Sequence, residues 1–339
     1  MENSPSEKNL KSVNPVRNRK KIYWRVFLFI ILIFFLANLV LQVLRLVGAI
    51  QKPFPSLAGA FASEKRLDLK QKSNLLLLRY SAEKTLQESW VLSYENSSRQ
   101  LHFFKLPHQA SLANEEKSLS EVFSASFDQN FWLSANLIGA PLDGYLAFRD
   151  LEAFSKEAFL ESRRELFSLS FFFNFFGQKA WLDQHLATNL SSSQLIGVAR
   201  IFKAVSLDKI DFTDLSGFAE KGVVEAEKID REIGSLLIDP DIAEENSLVK
   251  IVNGSGVAGL GSNLKRIVTN LGGRSLTVES GNEKMTKVLA VDEDSKLARR
   301  IAGFLGVGVS KTNQTSEAEV EIFLGSDLAE RLSLASLKK

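Results

Sequence analysis

The chain has 339 residues, 45% of them apolar and 24% charged, with a formal net charge of +2. That length and balance suit a two-part globular protein, and the near-neutral charge gives no basic field for nucleic acid. The absence of Cys excludes thiol nucleophiles, zinc ribbons, iron–sulfur clusters, disulfides and a lipid-anchoring cysteine. Three histidines, at 102, 108 and 185, are too scattered to predict a histidine metal centre.

The first predicted element is a membrane span. Val26–Leu44 is a 19-residue stretch without charge, bracketed by Arg25 and Arg45. At 1.5 Å per residue it reaches about 28 Å, close to the hydrocarbon thickness of a bilayer. Tyr23 and Trp24 stand where interfacial aromatics belong. Residues 1–25 carry Lys8, Lys11, Arg17, Arg19, Lys20, Lys21 and Arg25 against Glu2 and Glu7, which places this tail in the cytoplasm and the bulk of the chain outside. A cleaved signal peptide is the alternative, with Ala58-Gly59-Ala60 as its small-residue cut site, but the apolar run exceeds a signal core.

Residues 45–72 read as an extracytoplasmic stalk. Strands are then predicted at Asn74–Tyr80, Ser89–Tyr94 and Gln100–Lys105, the last two joined as a hairpin by Glu95-Asn96-Ser97-Ser98. Helical patterns follow at Ser118–Asn130, Asp150–Phe176 and Ser191–Ala204, with a short strand at Leu142–Phe148. The charged stretch 216–247 reads as a connector. A second domain, 248–328, has the order β-α-β-β-α-β of a small α/β sandwich, with strands at 248–252, 275–279, 287–291 and 319–324. The fold class is therefore α/β: a transmembrane helix, a mixed α/β domain over 73–215, and the C-terminal sandwich.

Gly254, Gly256 and Gly259 satisfy G-x-G-x-x-G between a strand and a helix, and Glu279 lies 20 residues beyond. That spacing is a dinucleotide fingerprint. Against it, the chain after Gly259 is too short for a doubly wound sheet, and two consecutive strands follow the first helix where a crossover helix is required. The structural reading of these glycines is a tight strand-to-helix turn.

VKIVNGSGVAGL at 249–260, followed by a helix, Leu271-Gly272-Gly273 and a second strand, resembles the LytR C-terminal domain over about 248–328. Asn253, Gly254, Ser255 and Gly256 are its ligand-binding candidates. Upstream, residues 73–215 resemble the LytR-CpsA-Psr catalytic domain through NLLLLRY, Phe104-Lys105-Leu106-Pro107 and LIGAPLDGYLAF at 137–148. That resemblance implies transfer of a glycopolymer from a polyprenyl pyrophosphate carrier, with arginines and carboxylates around a metal-bound pyrophosphate. The pattern departs where the family has Pro-Arg-Asp and this chain has Pro107-His108-Gln109. Glu88, His108, Arg79 and Arg149 remain as catalytic candidates, with Arg163 as a further displaced cation.

Phe167–Phe176 is too short to span a bilayer. It reads as a buried core helix or, by the resemblance, as an apolar wall for a lipid chain formed by Phe171, Phe172 and Phe175.

The expected function is non-catalytic binding or scaffolding of cell-wall polymer or lipid-linked glycan in bacterial envelope assembly, with envelope proteins as further partners, no nucleic acid and no cofactor. One alternative is an active glycopolymer phosphotransferase, which needs Mg²⁺. Another is a nucleotide-binding module at Gly254–Gly259.

Overall fold

The computed structural model describes residues 53–57, 59–63, 67–112, 117–151, 153–165, 181–312 and 317–332. They belong to a compact unit that begins at Pro53. The expected membrane segment 26–44 and the Phe167–Phe176 run, with Phe171, Phe172 and Phe175, lie outside the described residues. Among the described residues no helix is long and apolar enough to cross a membrane.

In chain order the first half contains β1 (Ser73–Tyr80), β2 (Leu86–Glu95), β3 (Gln100–Leu106), β4 (Ser111–Leu112), α1 (Leu119–Ala125), α2 (Phe127–Ile138), β5 (Gly144–Arg149), α3 (Lys156–Glu165), β6 (Leu186–Thr188), α4 (Ser192–Ala204) and β7 (Ile210–Asp214). Six of the strands form one sheet in the order β6-β5-β1-β2-β3-β7. β1 pairs antiparallel with β2 and β2 with β3, while β5 lies parallel to β1 and β7 parallel to β3. Leu76, Leu78, Val91 and Phe104 bury one face, and Leu75, Leu77, Trp90 and Phe103 the other. Both faces are covered, so the strands read as near-continuous apolar runs.

The expected helix at 118–130 is two helices. Ser126 has extended backbone, φ −154° and ψ 117°, so it ends α1, and its hydroxyl accepts from Gln129 N to open α2. α2 runs on to Ile138 and stops at Gly139, whose φ of 76° is left-handed.

The stretch expected as a connector is folded into the body. It holds the small strands β8 (Ala219–Glu220) and β9 (Val223–Val224), then α5 (Ala226–Leu237) and α6 (Pro240–Glu245). Ile229, Ile233 and Leu237, spaced four apart, form a fully buried stripe that the surrounding charges mask in sequence.

The C-terminal part contains β10 (Leu248–Asn253), α7 (Leu260–Asn270), β11 (Arg274–Ser280), β12 (Lys287–Ala290), α8 (Lys296–Leu305), β13 (Val309–Lys311), β14 (Val320–Leu324) and α9 (Ser326–Arg331). Its sheet order is β11-β10-β14-β12-β13. The six expected elements are present, with two added: an edge strand, β13, whose three residues carry no apolar run of their own, and the closing helix α9.

The two parts share one core. α2, α5 and α7 pack together. Arg266 of α7 binds Asp230 at 2.7 and 2.6 Å, and it donates to the carbonyls of Asn136 and Leu137 at the end of α2. A guanidinium there answers both the unpaired carbonyls and the negative end of the helix dipole.

A second polar seam joins Lys72, Glu95, Asp143, Asp239 and Arg300. Lys72 Nζ donates to the carbonyls of Leu236 and Ile238 at 2.5 and 3.0 Å and lies 3.5 Å from Glu95. Burial pushes the Asp239 carboxyl above its ordinary 3.8, although Arg300 opposes this. The folded chain then holds this proton more tightly than the unfolded chain, so stability falls as pH rises from 3.8 through the raised value. Burial pulls the Lys72 ammonium below its ordinary 10.5, so stability climbs between that lowered value and 10.5. Urea midpoints measured against pH should show both slopes. Asp239→Asn is expected to flatten the acid-side fall, and Lys72→Met the alkaline rise.

Candidate functional site

β1, β3, β5 and β7 run in the same direction, so their C-terminal ends share one sheet edge, the place where α/β folds bind ligands. Arg79, Lys105, Arg149 and Asp214 stand at those ends, Glu88 lies near the start of β2, and His108 follows β3. All four catalytic candidates from the sequence are thus brought to this edge. Asp214 was missed because β7 has too little apolar character to announce itself, and Lys105, on a strand that was expected, was not singled out because its partner Asp214 was unseen.

The charges along the edge are paired with each other. Arg79 Nε lies 3.3 Å from Glu88, and its Nη1 donates to Gln87 Oε1 at 2.6 Å and to the Leu151 carbonyl at 3.3 Å. Glu88 also accepts from Phe154 N at 2.9 Å. Lys105 sits 3.3 Å from Asp214, and Arg149 lies 3.7 Å from Asp150. The three cations therefore each face a carboxylate of the same edge.

Burial lowers the pKa of His108, with Glu88 pulling the other way, so the imidazole is neutral at neutral pH. Arg163 is elsewhere: it donates to the carbonyls of Lys203 and Val205 and closes the end of α4.

On the sheet face covered by α3 and α4, aromatic rings fill the space. Phe103 stacks on Phe212 at 4.6 Å and meets Phe159 edge-on at 4.8 Å, and Phe159 meets Phe202 at 5.3 Å. The void beside them, lined by Leu69, Tyr94, Val198 and Phe202 among others, is about 10 Å³. That is about the least that holds one water molecule.

The glycine loop is closed by its own side chains. Asn253 Oδ1 accepts from Ser255 N at 3.3 Å and from Ser255 Oγ at 2.6 Å, while Asn253 Nδ2 donates to the Val257 carbonyl at 2.9 Å. Ser255 Oγ in turn accepts from Val257 N at 3.1 Å. A Cβ on Gly254 would lie 2.3 Å from Glu283 N, so this glycine is needed for close packing of the 281–286 loop. Glu279 pairs with Lys250 at 2.9 Å. The sheet also differs from a doubly wound one, since β12 runs antiparallel to β14 within it.

Residues 247–328 match the LytR cell envelope-related transcriptional attenuator family. The C-terminal resemblance read from NGSGVAGL is thereby shown for that segment. Among curated proteins nothing matches the chain.

Solved structures similar to the chain include the LytR-CPS2A-psr family protein YwtF (TagT) of Bacillus subtilis with bound octaprenyl pyrophosphate lipid. It is 12% identical, covers 52% of this chain and 97% of its own, and has a TM-score of 0.34. B. subtilis TagV is 12% identical, covering 48% and 96%, with a TM-score of 0.36. The transcriptional regulator YvhJ of B. subtilis is 14% identical, covering 43% and 82%, with a TM-score of 0.30.

A cleft of about 520 Å³ lies between α6 and the LytR attenuator segment, lined by Asp241, Glu244 and Glu245 from the former and Asp292, Asp294, Lys296 and Glu319 from the latter. Glu245 is already committed there, capping α8 through Ser295 Oγ and Lys296 N. Lys296 pairs with Asp241 at 2.9 Å. Among the described residues no group of three His, Asp or Glu is gathered to hold a metal ion.

Proposed function

We propose that the protein is a membrane-anchored, extracytoplasmic binding or scaffolding component of bacterial envelope assembly, without transferase activity. The 26–44 apolar run with its basic N-terminal flank supports the anchor and its orientation. The LytR attenuator segment supports the envelope setting. The observation that carries the non-catalytic reading is the pairing of Arg79 with Glu88, Lys105 with Asp214 and Arg149 with Asp150. A pyrophosphate leaving group is stabilised by fixed cations in excess of the local carboxylates. At this edge the cations are answered before a ligand arrives. Cell-wall polymer or a lipid-linked glycan is the proposed cargo.

The gathering of Arg79, Glu88, His108 and Arg149 at one edge favours the phosphotransferase as second reading. One assay separates them. Full-length protein in detergent, given a polyprenyl-pyrophosphate-linked glycan, Mg²⁺ and peptidoglycan as the acceptor of the phosphoglycan, is expected to release no more polyprenyl phosphate than a protein-free blank. Mg²⁺-dependent release that drops about ten-fold or more in Arg79→Gln would overturn the non-catalytic reading.

A further inference from the structure

The described residues of 53–63, within the stretch expected as an extracytoplasmic stalk, are woven into the folded body. Pro55 O accepts from Thr188 N at 2.8 Å, and Ser56 Oγ and Leu57 N both meet the Tyr145 hydroxyl, at 2.8 and 2.9 Å. The Asp128 carboxylate of α2 accepts three backbone N–H groups, from Gly59 and Phe61 at 3.1 Å and from Ala62 at 3.2 Å. Asn189 Nδ2 donates to the Ala62 carbonyl at 2.6 Å.

The side chain at the end of this path is the decisive one. Phe61 is 0% exposed and sits edge-on to Phe131 and Trp132 of α2 at 6.2 and 5.9 Å, and to Phe304 of α8 at 5.9 Å. Arg331, next to α8 through its bond to the Leu305 carbonyl, lies 5.9 Å over the same ring. One residue just after the predicted membrane span thus touches both parts of the body. Gly59 also gains a structural reason: a Cβ there would lie 2.4 Å from Asp128 Oδ2.

We propose that residues 53–63 are a conformational strap. Seated, the strap holds α2 against α8; released, it loosens the seam between the six-stranded sheet and the LytR attenuator segment. The coupling is mechanical. Packed aromatic rings leave no slack, so withdrawal of Phe61 takes away a shared wall from α2 and α8 together. Withdrawal of the strap from its Pro53 end breaks the bonds to Thr188 and Tyr145 first and reaches the seam through Phe61.

Hydrogen exchange on the full chain in detergent micelles tests this. Phe61→Ala is expected to accelerate exchange about ten-fold or more in α2 and α8 as well as in 53–63, because their protection draws on the same local opening. Gly59→Val, at an exposed position, lifts the strap off Asp128 while leaving Phe61 intact, and it answers the question if Phe61→Ala does not fold. Acceleration confined to 53–63, with α2 and α8 as protected as in the parent, would overturn the proposal.

Discussion

Replacing Arg300 with methionine is expected to lower stability by about 3–5 kcal/mol, among the largest effects of any single polar substitution in this chain. Arg300 Nη2 lies 2.7 Å from Asp143 Oδ2, with side-chain exposures of 6% and 10%. Asp143 also accepts from Asn74 N at 2.7 Å and so fixes the start of β1 against the start of β5. Removing the guanidinium leaves a carboxylate buried at the joint, without the charge that offset its desolvation. Asp239 feels the same cation, so its proton is held still more tightly. Urea denaturation of Arg300→Met measures the loss. The double variant Arg300→Met, Asp143→Leu is expected to recover much of it, since replacing both partners of a buried pair by apolar groups is often neutral. A loss below about 1 kcal/mol would mean that water reaches the pair.

The second large effect is expected at Phe304. Its ring is 2% exposed, stacks on Trp132 at 5.3 Å with planes 17° apart, and closes over Phe61. Phe304→Ala removes a large side chain from a rigid aromatic cluster and should cost about 3–5 kcal/mol. Because the cluster joins α2 to α8, the consequence extends beyond the amount. The parent protein is expected to unfold in one transition seen equally by probes in both parts. Phe304→Ala should lower that midpoint, or split it into two with the LytR attenuator part melting separately. Calorimetry compared with tryptophan fluorescence decides this, as the LytR attenuator segment 247–328 contains no Trp and its separate melting would be seen by heat alone. Two independent transitions in the parent would show that the shared core is not cooperative.

The elements that were easiest to read were those with strong local signals. β1, β2 and β3 are apolar on both faces and bounded by turn residues, so composition alone announces them. The NGSG turn is legible because Asn253 and Ser255 satisfy the loop locally, within a few residues of each other. Short elements at sheet edges gave little. β6, β7 and β13 contain three, five and three residues, and pairing with a longer neighbour defines them. α5 was missed for a different reason: its buried stripe of Ile229, Ile233 and Leu237 is diluted in sequence by Glu227, Lys228, Asp230, Arg231 and Glu232.

The candidate site divides in the same way. Glu88, His108, Arg79 and Arg149 were readable as residue types near strand ends, and strand direction brings them to one edge. Their state was not readable. Whether Arg79 is free to hold a phosphate depends on Glu88, nine residues away, and on the Leu151 carbonyl, 72 residues away, which only the paired sheet brings into reach.

The sequence by itself determined the apolar run at 26–44 with its basic flank, the glycine turn, and the C-terminal family segment, because each is encoded in a short window. The tertiary structure decided what joins what. Asp143 and Arg300 are 157 positions apart, and Phe61 meets Phe304 across the whole body. Such contacts leave no periodicity in the chain, since their energy comes from excluding water between surfaces that no local pattern pairs.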